Sequence, residues 1–94
     1  MGKCNYLMSK EEKQQQLIES KTQKLCEDIR GAVFNIRGRK YLTQNEFAQI
    51  AWLNSSTLSK RLRNPNDFDL GELVKLIVAF PEIREYLANS ISTL

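Results

Sequence analysis

Three times along this chain a helix-starting tetrad stands just ahead of an apolar periodic run: Ser9-x-x-Glu12, Thr43-x-x-Glu46 and Asp69-x-x-Glu72. In such a tetrad the first side chain accepts from the third helical N–H. The Glu reaches back to the N–H of the capping residue, so two orphaned donors are satisfied together. With two prolines, four glycines and few β-branched runs, this repetition predicts an all-α fold.

The periodicities support five helices. After Ser9, the residues Ile18, Thr22, Leu25, Ile29, Ala32 and Ile36 alternate steps of four and three, the seam of one long amphipathic helix. Leu17, Cys26 and Val33 widen that seam. Its first turns, KEEKQQQ, are polar all round and are expected to project beyond the core. Gly31 marks either a kink or a tolerated small residue, and Gly38 is the expected C-cap. Thr43 opens a helix with Phe47, Ala48, Ile50 and Ala51, followed by a turn near Trp52-Leu53. Asn54 caps the next, SSTLSKRL, with Leu58 and Leu62 facing inward. Asn64-Pro65-Asn66-Asp67 reads as a loop. Leu70, Leu73, Val74, Ile77 and Phe80 then give a fourth helix its inner face. Pro81 starts a last one bearing Ile83, Tyr86 and Leu87.

Composition narrows the function classes. Ninety-four residues make one domain with a modest core. No stretch approaches the roughly 18 apolar residues of a membrane span, and the N-terminus carries no secretory pattern. Cys4 and Cys26 form no CxxC and His is absent, so two free thiols in a reducing cytoplasm are expected and no metal or cofactor. The cysteines lack a base partner and the acids sit at helix starts, where capping explains them. Catalysis is therefore not expected.

The net charge of +3 is unevenly spread. Residues 1–29 balance five Lys against five acids, whereas residues 30–63 carry seven Lys/Arg against one Glu. Residues 64–94 carry two basic groups against five acids. The positive field thus lies over residues 30–63, the segment that contains the two short helices, where it attracts a polyanion and weakens with salt.

Within that field, LTQNEFAQIAWLNSSTLSKRL joins the two short helices through a tight turn. Ala48 supplies the small residue that a steep helix–helix contact needs, and Phe47, Ala51, Leu53, Leu58 and Leu62 supply the inner faces. The segment resembles the helix-turn-helix of the phage-repressor and Cro type, the lambda-repressor-like family. Gln44, Ala48, Leu53, Asn54, Ser56, Thr57, Leu58, Ser59, Lys60 and Leu62 stand at matching positions. The close likeness covers about 21 residues, and a looser one reaches from Lys24 to Phe80. It implies a lambda-repressor-like five-helix bundle with an extended N-terminal helix. Residues 1–8 would be a flexible tail, 9–90 the DNA-binding domain and 91–94 a C-terminal tail.

The resemblance also implies roles. Ser55, Ser56 and Lys60 would face base edges in a major groove. Gln44 would clamp a phosphate and buttress residue 55, Thr57 would touch the phosphate backbone, and Arg63 and Asn64 would hold the flank. The charge reading adds Arg37, Arg39 and Lys40 in the preceding loop as phosphate contacts. Short serines discriminate bases weakly, which shifts specificity to Lys60 or to DNA shape. Two residues depart from the pattern. Trp52 stands where the family prefers Gly, so either the turn is remodelled or Trp52 packs well enough to offset its strain. Arg61 replaces an apolar or aromatic residue and is expected to snorkel towards phosphate.

Together these point to a cytoplasmic transcriptional regulator of bacterial or phage type, a repressor-like reader of double-stranded DNA. A homodimer on paired half-sites is expected. Ile83, Tyr86 and Leu87 are the expected dimer surface, with the helix extension around Leu17 and Ile18 as the alternative. The rival reading is a protein-interaction module, such as an antitoxin or a phage inhibitor of a host complex.

Overall fold

The computed structural model describes residues 9–94, and the tail expected at residues 1–8 lies outside them. The described residues form five helices: α1 Lys10–Lys40, α2 Gln44–Ile50, α3 Ser55–Arg63, α4 Leu70–Ala79 and α5 Glu82–Ser92. A single 3-10 turn, Pro65–Asp67, separates α3 from α4. Among the described residues there is no strand. Among the described residues no helix is long and apolar enough to cross a membrane.

Every helix start expected from a side-chain cap is found. Ser9 Oγ accepts from the Glu12 N–H at 3.1 Å. Thr43 with Glu46, and Asp69 with Glu72, form complete reciprocal boxes. Asn54 accepts from the Ser56 N–H at 2.9 Å.

Helix ends differ from expectation. Gly38 does not end α1. The helix runs on to Lys40, and Tyr41 takes the left-handed position at φ 55°. The reason lies one residue further on. Leu42 packs against the core and its N–H donates back to the Arg37 carbonyl at 2.9 Å. Packing of the half-buried Leu42 against the core fixes the reversal, so the left-handed residue is whichever one precedes it. At the other end of the chain α5 passes the boundary expected at residue 90 and includes Ile91 and Ser92.

The core gathers Val33 and Ile36 of α1, Phe47 and Ala48 of α2, and Ala51. Leu58 and Leu62 of α3, Leu76 of α4, Phe80 and Ile83 complete it. Phe47 and Phe80 stack near-parallel with centroids 4.2 Å apart. Burying a ring like that of Phe47 contributes about 2–3 kcal/mol.

Only the C-terminal half of α1 joins this core. Ala32, Val33 and Ile36 are buried, Leu25, Cys26 and Ile29 are half-buried, and Leu17 and Ile18 are exposed. The rest of the seam projects as a free helix. α5 returns alongside α1, where the buried Ser90 hydroxyl donates to Asp28 Oδ2 at 2.5 Å. That bond, ahead of the Lys24 ammonium at 3.2 Å, holds the Asp28 carboxyl below its ordinary range.

In α4 the inward face is the expected one in part: Leu73, Ile77 and Phe80 turn to the core, and Leu70 and Val74 do not. Leu76 turns inward with the first group, while Val78 is exposed with the second. The helix is apolar nearly all round, so several four-residue rows compete for the core. Leu76 and Phe80 win because Phe80 stacks on Phe47.

Candidate nucleic-acid interface

The basic stretch of residues 30–63 folds as the end of α1, then α2, a turn and α3, with Ala48 buried between the two short helices. The Leu53 N–H donates to the Ala48 carbonyl at 2.8 Å and the Trp52 N–H to the Gln49 carbonyl at 3.1 Å. Trp52 stands at φ 54° and remains 66% exposed. Neither expected outcome holds, because the turn keeps its left-handed residue and packing does not offset the strain. Such a backbone costs a bulky residue roughly 1–2 kcal/mol. What holds the turn is burial of Ala51 and half-burial of Leu53 on either side. The Lys75 ammonium also donates to the Trp52 carbonyl at 3.4 Å.

Leu58 and Leu62 pin α3 to the core. Helical geometry then turns Ser56, Lys60 and Arg63, at steps of four and three, to the outside, and all three are exposed. No acid lies on that row. The Ser56 hydroxyl donates to Asn54 Oδ1 at 2.8 Å, which leaves its oxygen lone pairs free to accept. Ser55 and Thr57 are half-buried. The Ser55 hydroxyl bonds the Asn45 carboxamide, so the buttress of residue 55 is Asn45 and not Gln44.

Gln44 instead borders an open groove of about 410 Å³ with Arg30, Phe34, Ser59, Leu62 and Arg63. Ser59 and Arg30 were not among the expected contacts. Arg30 Nε donates to the Leu62 carbonyl at 2.8 Å and Nη2 to the Arg63 carbonyl at 3.5 Å. The guanidinium thus closes the C-terminus of α3 and complements its dipole. Its partners lie 32 and 33 residues away, beyond any local pattern.

The remaining basic residues divide. Arg61 does not reach outward. Its Nε meets Glu72 Oε1 at 2.8 Å in a half-buried pair that ties α3 to α4. Charge attraction and a direct hydrogen bond across that short gap outweigh the gain from snorkelling. The Arg61 hydrogen bond is the main cause that holds the Glu72 carboxyl below its ordinary range. Arg37, Arg39 and Lys40 sit on the last turn of α1 rather than in a loop. Arg37 lies 5.7 Å over the Phe34 ring and donates to the Leu42 carbonyl at 3.4 Å. Lys40 pairs with Glu82 at 3.3 Å, so of the three only Arg39 is exposed and unpaired. Asn64 is exposed, with its amide donating to Asp67 at 3.2 Å.

Of the expected dimer surface on α5, Ile83 is not available at the surface. Ile83 is 4% exposed within the core, and Tyr86 and Leu87 are half-buried against it. The apolar face of α5 closes the monomer. Burial raises the Cys26 thiol above its ordinary value, which removes thiolate character from that position.

No protein-family model, curated protein or solved structure matches this chain.

Proposed function

We propose that this chain is a helix-turn-helix reader of double-stranded DNA, of lambda-repressor-like type, with α3 as the helix that enters the major groove. The observation that carries the reading is the exposed row Ser56, Lys60, Arg63, free of acids and set in the most basic segment of the chain. Lys60 donates to guanine or phosphate oxygens. The Ser56 hydroxyl oxygen, with its proton committed to Asn54, accepts from base amino groups. Arg63, Gln44 and Ser59 around the adjoining groove hold the phosphate backbone, with Arg39 as a more distant contact. Such a protein acts as a small regulator, occupying an operator.

Selection from a randomised duplex pool tests this, with the binding of the selected site measured at about 50 and 200 mM salt. The expected result is one enriched site whose affinity falls steeply with salt, each engaged cation adding about 0.9 to the log–log slope. No enrichment, with little salt dependence, overturns the reading and moves the function to protein recognition.

A further inference from the structure

The outer face of α4 carries a feature that DNA reading does not use. Leu70, Val74 and Val78 form one row at four-residue spacing and are 80%, 57% and 61% exposed. Trp52 is drawn beside that helix by the bond from Lys75 to its carbonyl. We infer that a second copy of this chain covers this face, with two α4 helices packed antiparallel about a two-fold axis at Val74.

The row is self-complementary. Reversing α4 about Val74 sets Leu70 against the partner's Val78 and Val74 against the partner's Val74, as an isologous contact requires. Rows at four-residue spacing are also the ridges that interlock in the commonest helix packing. Gly71, next to Leu70, adds no bulk, and a side chain there would meet only Asp69 within 4 Å.

The charges beside the row are already engaged. Lys75 bonds the Trp52 carbonyl and Glu72 pairs with Arg61. Lys75 keeps its charge but stands off the row, so the row itself gives a different protein little to recognise electrostatically, whereas an apolar ridge suits its own copy. The area is also sufficient. The row and Trp52 leave on the order of 500 Å² in each protomer, and covering both buries about 1,000 Å², the floor for a specific interface. A contact of that size falls at the small, reversible end of specific interfaces. Trp52, strained and exposed, becomes its anchor.

Sedimentation equilibrium of the full chain across micromolar concentrations tests the inference. Circular dichroism is recorded alongside to verify that each variant is folded. The unaltered protein is expected to show a monomer–dimer equilibrium, and Val74→Lys to weaken it at least tenfold by setting two ammonium groups against each other. Ile18→Lys, on the projecting half of α1, leaves it unchanged. In a Cys4→Ser, Cys26→Ser background, Val74→Cys is expected to cross-link under mild oxidation. A chain monomeric at all concentrations overturns the inference, as does a dimer indifferent to Val74→Lys or one broken by Ile18→Lys. Absence of the cross-link overturns the antiparallel register. The contact does not rest on the DNA reading. A dimer lost with Val74→Lys in a protein that selects no duplex keeps this surface and removes that function, and site selection by a chain that is monomeric in solution does the reverse.

Discussion

α3 and α4 are neighbours of almost equal length, joined by one 3-10 turn, and each is held by two or three inward apolar residues. Their outer faces have nothing in common. α3 presents Ser56, Lys60 and Arg63, whereas α4 presents Leu70, Val74 and Val78. The fold requires only the inner stripe of each helix, because that stripe supplies the burial energy. The outer stripes are free of that demand, so their chemistry reports on what each helix meets outside the monomer. One fits a hydrated polyanion and the other a dry apolar contact.

The largest expected effect checks that the inner stripes carry the fold. Leu58→Ala should cost about 2–5 kcal/mol in urea unfolding, while Val74→Ala at dilute protein should change stability by less than about 0.5 kcal/mol. Equal losses would erase the distinction between inner and outer stripes.

Next in size is the double change Ser56→Ala, Lys60→Ala. Competition between a selected duplex and a scrambled one should show discrimination reduced by about 1–3 kcal/mol with the fold intact. Leu70→Ser on α4 should leave discrimination unaltered, and a loss there of the same size would show that the two outer faces are not separate in function.

Trp52→Gly sharpens the comparison from the turn between α2 and α3. Relief of the left-handed strain, less the greater entropy of an unfolded glycine, should stabilise the monomer by about 0.5–1 kcal/mol in thermal unfolding. The same variant should weaken self-association. A destabilised monomer would show that the indole supports the fold despite its exposure.

The smallest effect concerns the bond between the two helices. Glu72, held below its ordinary value chiefly by Arg61, contributes fully above its unfolded-state pKa of roughly 4.3, and the contribution is lost as pH falls through its lower folded value. Glu72→Gln keeps the reciprocal cap on Asp69 but removes the charge. An acid titration of stability should therefore be flatter below about pH 4.3 in the variant than in the unaltered chain, with the curves differing by a constant above that range. Parallel curves through the acid range would show that the pair is worth nothing.

Helix starts were readable in the sequence because a cap and its partner lie within four residues of each other. Asn54, Thr43 and Asp69 announce themselves locally. The end of α1 was not readable, since Tyr41 takes the left-handed position on account of where Leu42 packs. The facing of α4 was only partly readable, for a different reason. Leu70, Val74 and Val78 keep the same four-residue spacing as Leu76 and Phe80, so periodicity alone cannot choose between the rows. The exposed positions of α3 were legible once Leu58 and Leu62 were placed inside. The restraints around them, Arg30 on the end of α3, Asn45 on Ser55 and Glu72 on Arg61, join residues at least ten apart. Charge counting treats every arginine as free, and only packing shows that Arg61 and Lys40 are engaged.

The projecting half of α1 has a hydrodynamic consequence. The described residues measure 55 × 26 × 23 Å with a radius of gyration of 16.7 Å, against about 12 Å for a compact domain of this length. A rod-like arm adds frictional drag without adding mass. On a gel-filtration column the 10.9 kDa chain will elute ahead of globular standards of its own mass and imitate a larger species. Molar mass for this protein is therefore read from light scattering or from equilibrium sedimentation, where shape drops out, and the shortfall in elution volume then measures how far the arm stands clear of the bundle.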